Sequence, residues 1–241
     1  MKVITAIIVG IAFVAGIWIA SSAYKSRAKA TETVTVTGSA EKDFVSDLIV
    51  WTGSYSRKSM DLKTAYAQLK TDETTIRAYL KGKGVAENQM VFSAVEINKD
   101  FSYETDQNGR SVQRFTGYNL IQNVRVESGE VDKILGISRQ ATELIEGGIE
   151  FTSQSPLFYY TRLTDIKMDL LAQASADGKQ RAEIIAKNAG SSLGKLKKAT
   201  LGVFQITGKN SDEDYSYGGT FNTSSLNKTG SITIRMEFTV K

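Results

Sequence analysis

Residues 164–194 read TDIKMDLLAQASADGKQRAEIIAKNAGSSLG. Isoleucine, leucine and alanine recur here every three to four positions, which predicts one long helix from Thr164 to Asn188. Ala172, Ala174, Ala176, Ala182, Ala186 and Ala189 make it rich in small residues, so it can lie close to a sheet or to a neighbouring helix. The residues around it decide between those options. Ile149 to Tyr160 before it reads as a strand interrupted at Pro156, the only proline of the chain, which implies an edge or a bend. After it come strand-like runs from Lys198 to Thr207 and from Ser231 to Val240, separated by a polar loop of about twenty residues containing tyrosine and glycine.

Further upstream the same alternation of periods continues. Thr31 to Gly38 places Val34 and Val36 between threonines, and a second strand runs from Phe44 to Tyr55. Leu62, Ala65, Tyr66, Leu69, Ile76, Tyr79 and Leu80 define one face of a helix that stops at Lys81-Gly82-Lys83-Gly84. Met90 to Tyr103 is strand-like, and Asn108-Gly109 carries a hairpin turn signal before a strand with Val112, Tyr118, Leu120, Val124 and Val126 on one parity. A further helix, Glu130 to Glu146, turns Val131, Ile134, Leu135, Ala141 and Ile145 inward and ends at Gly147-Gly148. The order predicts an α+β fold of mixed or antiparallel sheets with three helices, built from strand-helix-strand units.

Val3 to Ala20 is an 18-residue run without charge, followed by Ser21-Ser22-Ala23. It is long for the core of a signal peptide and just long enough to span a bilayer, with Trp18 and Tyr24 placed as interfacial anchors. We therefore divide the chain into a basic, membrane-anchoring segment (or signal peptide) over 1–29 and a domain over 30–241. The domain is expected on the far side of a membrane, the alternative being a cleaved and soluble exported protein. Lys2 and the amino terminus on one side nearly balance Lys25, Arg27 and Lys29 on the other, so charge does not set the orientation.

Composition narrows the chemistry. The chain has no cysteine and no histidine, which removes disulfides, thiolate sites, the Ser-His-Asp arrangement and the usual zinc and iron ligand sets. The net charge of +4 resides in residues 1–29, which hold four basic residues and no acid; the remainder carries 26 basic and 26 acidic residues. A neutral body gives no footprint for phosphate backbones, so no nucleic-acid partner is expected.

Several local patterns qualify as sites only weakly. Asp212-Glu213-Asp214, with Asn210 and Ser216, offers alternating oxygen side chains, but an EF-hand counted from Asn210 meets Tyr215 where glycine is needed and Phe221 where glutamate is needed. Gly38-Ser39-Ala40 and Gly218-Gly219-Thr220 lack the P-loop lysine spacing. Asp177 and Arg181 form an i, i+4 pair beside Glu183, read as a helix-surface ion pair or a contact between protomers. No catalytic, cofactor or metal residues are assigned. Tyr215, Tyr217 and Phe221 form a candidate interaction loop, since tyrosine among small polar neighbours suits contact surfaces, against the alternative of a flexible excursion between strands.

Thr33-Val34-Thr35-Val36-Thr37-Gly38, the strand ending near Trp51, and Ala174-x-x-Asp177-x-x-x-Arg181-Ala182-Glu183-x-x-Ala186-x-x-x-Gly190-x-x-Leu193-Gly194 together resemble the SIMPL domain family over almost all of the chain after residue 30. These are bacterial periplasmic or envelope proteins, among them a periplasmic immunogenic antigen. The resemblance implies an α+β fold, export, homo-oligomeric rings in some members, a link to oxidative-stress tolerance and no agreed enzymatic activity. The resemblance also implies a bacterial inner membrane as the site of the anchor with the domain in the periplasm, the alternative being a cleaved, soluble periplasmic protein. On that basis the expected function is a non-enzymatic envelope protein whose domain self-associates and binds another envelope component. The alternatives are a ligand- or cell-wall-binding module, which an aromatic-lined groove would favour, and a carboxylate-based hydrolase, which a pocket with two acids of raised pKa would favour.

Overall fold

In the computed structural model, residues 10–11, 13–22, 32–105 and 109–241 are described. All named strands pair antiparallel, in two sheets. The first strand, β1 (Thr33–Val45), runs through Ser46 and Asp47 directly into β2 (Leu48–Ser59), yet the two belong to different sheets. One sheet orders β1 beside β10 (Asn227–Val240), which pairs on its other side with β8 (Leu193–Leu201) and β9 (Gln205–Gly208). The other centres on β2 and β5 (Ser111–Ser128); β3 (Met90–Phe92) and β4 (Glu96–Thr105) flank β5, while β6 (Glu150–Ser153) and β7 (Leu157–Tyr159) flank β2.

Each sheet has its own helices and core. Helix α1 (Leu62–Gly82) is capped by Asp61, whose carboxylate accepts from the Thr64 amide at 2.7 Å. With α2 (Val131–Gln140) it covers the β2–β5 sheet, burying Trp51, Leu69, Ile76, Leu80, Leu120, Val124 and Ile134. Helix α3 (Leu163–Asn188) covers the β1–β10 sheet, burying Val36, Ile166, Leu170, Ala174, Ala182, Ile234 and Met236. The small residues of α3 serve close approach to a sheet. A Cβ on Gly38 would collide with the Ala174 carbonyl and lie 2.6 Å from the Gly178 nitrogen and 2.8 Å from its Cα.

The structure revises several sequence boundaries. Among the described residues there are four α-helices, counting the helical residues 10–11 and 13–22, rather than three, and short 3-10 helices cover Glu87–Gln89 and Ala141–Ile145. Among the described residues no helix is long and apolar enough to cross a membrane; residues 3–9 and 12 of the expected span lie outside them. Leu62 and Tyr66, expected inward, are exposed on α1, and Asp72 is buried instead because Arg57 on β2 bonds both its oxygens, at 2.5 and 2.8 Å. Ile145 is likewise exposed, since the chain leaves α-helical geometry at Ala141. Pro156 does mark a break, between β6 and β7, both of which still pair with β2.

Candidate functional site: a pinned tyrosine loop and a projecting arm

The chain between β9 and β10 runs back over the face of the β1–β10 sheet opposite α3, and its own polar residues fasten it. Gln205, buried at the start of β9, donates to the Ser216 carbonyl at 2.9 Å and accepts from the amides of Thr220 at 2.7 Å and Ser216 at 3.3 Å. Glu213 turns its carboxylate inward: one oxygen accepts from the Gly208 amide at 2.9 Å, the other from the Asn222 side chain. These bonds, with the Gly208 amide foremost, hold its pKa below the usual carboxylate range. Asn222 in turn takes two bonds from Lys228, at 2.6 Å through its carbonyl and 3.2 Å through Oδ1. Lys228 is 1% exposed, and burial pushes its ammonium down to about 8 although Glu213 opposes the shift. The loop is therefore built into the fold rather than being a loose excursion.

Pinned this way, the loop closes one wall of a cleft of about 320 Å³. Tyr215, Ser216 and Tyr217 face Ser39, Ala40 and Glu41 of β1 and Ser231, Ile232 and Thr233 of β10, with Val203 and Gln205 at the end. The Ser231 hydroxyl lies 3.3 Å from that of Tyr215 and orients its ring; Tyr217 is fully exposed. Of the three residues singled out in this loop, the structure brings Tyr215 and Tyr217 together. Phe221 stands apart, bridged to Ile206 and half exposed. The missed contributors, Ser39, Glu41, Ser231 and Thr233, come from strands far apart in sequence, and their only sequence signal is alternation to the face away from α3.

Asp177 and Arg181 are joined at 2.8 Å as their spacing predicts, but Asp177 also accepts the Ser39 amide at 2.9 Å. That backbone bond, followed by Arg181, lowers its pKa. Glu183 points elsewhere, 3.7 Å from Lys179. Asp212 and Asp214 are exposed, and among the described residues no group of three metal-binding side chains converges. The carboxyls whose proton affinity is displaced, including Glu73, Asp177 and Glu213, are displaced downward, opposite to what a general acid needs.

The second candidate surface is the β4–β5 hairpin. β5 pairs with β2 only from Tyr118 onward, so residues 111–117 have β4 as their sole partner and the two strands project as an arm. A bulge at Gly117 (φ +135°), where a Cβ would lie 2.9 Å from the Ser59 carbonyl, bends the arm as it leaves the sheet. Register puts Ile97, Phe101 and Tyr103 of β4 with Phe115, Tyr118 and Leu120 of β5 on one face, which also carries the exposed Lys99 opposite Tyr118 and Gln113 opposite Tyr103. Phe115 stacks edge-on with Phe101 at 5.7 Å and with Tyr118 at 5.2 Å. The opposite face carries Asp100, paired with Lys58, and Glu104, 3.8 Å from Arg114. The apolar face continues from the buried Leu120, but Ile97, Phe101 and Tyr103 are 52%, 44% and 73% exposed.

A family model matches residues 34–241, from β1 to the C-terminus: SIMPL, described as a protein of unknown function (DUF541). The chain belongs to the SIMPL family. Most of the β1 threonine run, Gly38 and the Ala174–Gly194 pattern lie within the matched residues, and in the structure Gly38, Ala174 and Gly178 form the seat of α3 on β1. No curated protein matches this SIMPL chain.

Proposed function

We propose that this SIMPL protein is a non-enzymatic component of the bacterial cell envelope whose domain self-associates, through the apolar face of the β4–β5 arm, into a homo-oligomer. The observation that carries the reading is the arm itself. An isolated two-stranded ribbon is marginal in water, and here its aromatic face is left open. A second copy supplies a matching aromatic face by symmetry, and isologous pairing of arms closes the exposed surface on both subunits. The envelope location is supported by the uncharged run over residues 3–20, which supplies an anchor to the inner membrane or an export signal, with the domain in the periplasm. Family resemblance adds a link to stress tolerance, in which the assembly acts structurally and not as a catalyst.

The test is the solution mass of residues 30–241 by light scattering across a range of concentrations. A discrete multimer is expected, and the double variant Phe101→Ser/Tyr103→Ser should dissociate at concentrations at least about thirtyfold higher than those at which the wild type does, taking about 2 kcal/mol lost at the interface. A wild-type monomer at all concentrations, or a multimer indifferent to the double substitution, refutes the assignment. A second reading, a ligand- or cell-wall-binding module, is favoured by the tyrosine-walled cleft.

A further inference from the structure

The cleft beside the 209–226 loop has a lining whose chemistry selects among ligands, and the choice of ligand rests on the binding-module reading. Its volume of about 320 Å³ is within the range of small-molecule sites. No lysine or arginine lines it, so nothing there would hold a phosphate or a free carboxylate ligand. A purely apolar ligand would strand the hydroxyls of Ser39, Ser231 and Thr233 and the Glu41 carboxylate away from water. What complements two tyrosine rings, Val203 and this set of hydroxyl and carboxylate groups is a molecule with C–H faces and many hydroxyls; Ala40 and Ile232, of the opposite parity, turn their side chains to the core under α3.

We infer that the cleft formed by Tyr215 and Tyr217 on the loop and by Ser39, Glu41, Ser231 and Thr233 on β1 and β10 binds a neutral glycan. A pyranose ring lays its C–H face on the exposed Tyr217 ring. Glu41 accepts from its hydroxyls at the β1 wall, and Ser39 and Thr233 each donate and accept. Tyr215, held at Ser231, forms the inner wall. The site is preorganised: Gln205 fixes the loop between the two tyrosines at Ser216 and beyond them at Thr220, and Gly219, with φ +92°, makes a turn that a side chain would strain, a Cβ lying 2.9 Å from the Phe204 carbonyl. Binding therefore orders little loop, which favours a shallow site. The open end beyond Tyr217 suits an oligomer that runs past the cleft better than an enclosed monosaccharide.

The experiment uses the full chain in a detergent without sugar head groups, with saturation-transfer NMR reading protein contact on each probe. The probes are maltotriose, cellotriose and the trimer of N-acetylglucosamine, with tri-alanine and inorganic phosphate (followed by phosphorus line width) as non-sugar probes. At least one saccharide should receive saturation on ring C–H protons. Tyr217→Ala should weaken its binding about tenfold, as loss of an aromatic contact of about 1.4 kcal/mol predicts, while Tyr217→Phe retains it. Tyr66→Ser, at an exposed position of α1 over the other sheet, serves as a control and should leave the signal unchanged. If only tri-alanine or phosphate binds in a Tyr217-dependent way, the glycan is refuted while a binding module stands. If no probe binds, or if saccharide signals are the same in Tyr217→Ala, both the glycan and the use of this cleft are refuted.

Discussion

Substituting alanine for Gly38 tests the central claim about the fold, that α3 sits on β1 with no room for a side chain between them. The added Cβ meets three backbone atoms of the helix, the Ala174 carbonyl oxygen and the Gly178 nitrogen and Cα, the latter two at 2.6 and 2.8 Å. Backbone atoms move only if the helix moves, so relief requires lifting α3 from a core that includes Leu170, Ala174, Ala182 and Met236. Overpacking costs about 1–3 kcal/mol, and the backbone origin of all three clashes puts Gly38→Ala near the upper end, about 3 kcal/mol. Gly178→Ala is the internal comparison. Its Cβ meets mainly the flexible tip of Met236, with Gly38 at 3.2 Å, and alanine adds about 1 kcal/mol of helix propensity, leaving a net loss of about 1 kcal/mol. Thermal unfolding followed by circular dichroism should show a drop of about 6–12 °C for Gly38→Ala and about 2–4 °C for Gly178→Ala, given about 2–4 °C per kcal/mol in a domain of this size. Refutation would be a Gly38→Ala protein within about 0.5 kcal/mol of wild type, or the reverse ranking of the two variants.

Two further expectations concern titrating groups. Lys228 loses its proton near pH 8 when folded against 10.5 when unfolded, so the unfolded chain binds more protons between those values and stability rises with pH across that window, by up to about 3 kcal/mol. The urea midpoint should climb from pH 8 to about 10, above which buried Tyr55, held protonated in the fold, works against it; Lys228→Met should flatten the climb. Asp177 has the opposite sign: its folded pKa lies below 3.8, so its contribution is complete well above that value and is lost as pH falls through the folded pKa. Asp177→Ala should lower the urea midpoint at pH 7, and the gap to wild type should narrow in acid; a gap independent of pH would mean that its bond to Ser39 carries no weight.

Much of the fold is legible because local periodicity is strong. The span of α3, the glycines that end α1 and the 3-10 turn after α2, and the hairpin between β4 and β5 all follow from spacing within one element. Where tertiary pairing decides, the sequence is silent. The strand expected to stop at Gly38 continues to Val45 because β10, nearly two hundred residues later, pairs with it throughout. Nothing in Ser46-Asp47 announces that the chain changes sheets there. Tyr66 obeys helical spacing yet stays exposed, because the buried face runs through Ala65, Leu69, Asp72, Ile76 and Leu80, with Asp72 held there by Arg57. The candidate cleft is half legible for the same reason: its tyrosines stand out in a polar loop, whereas its floor consists of alternate residues on two strands that look like any solvent-facing sheet.

The bond between Asp177 and the Ser39 amide reaches beyond the seating of one helix. β1 is paired on one side only, and thirteen residues of open strand are a template on which a passing chain can polymerise. Opposite Ser39, the Thr233 carbonyl is already taken by Gly202, so the Ser39 amide faces the open side, and there the carboxylate occupies it. An amide already occupied by a side chain midway along the strand breaks any continuous ladder into two short pieces. Fibril growth from this edge is thereby discouraged in a protein whose assembly would run through its arm.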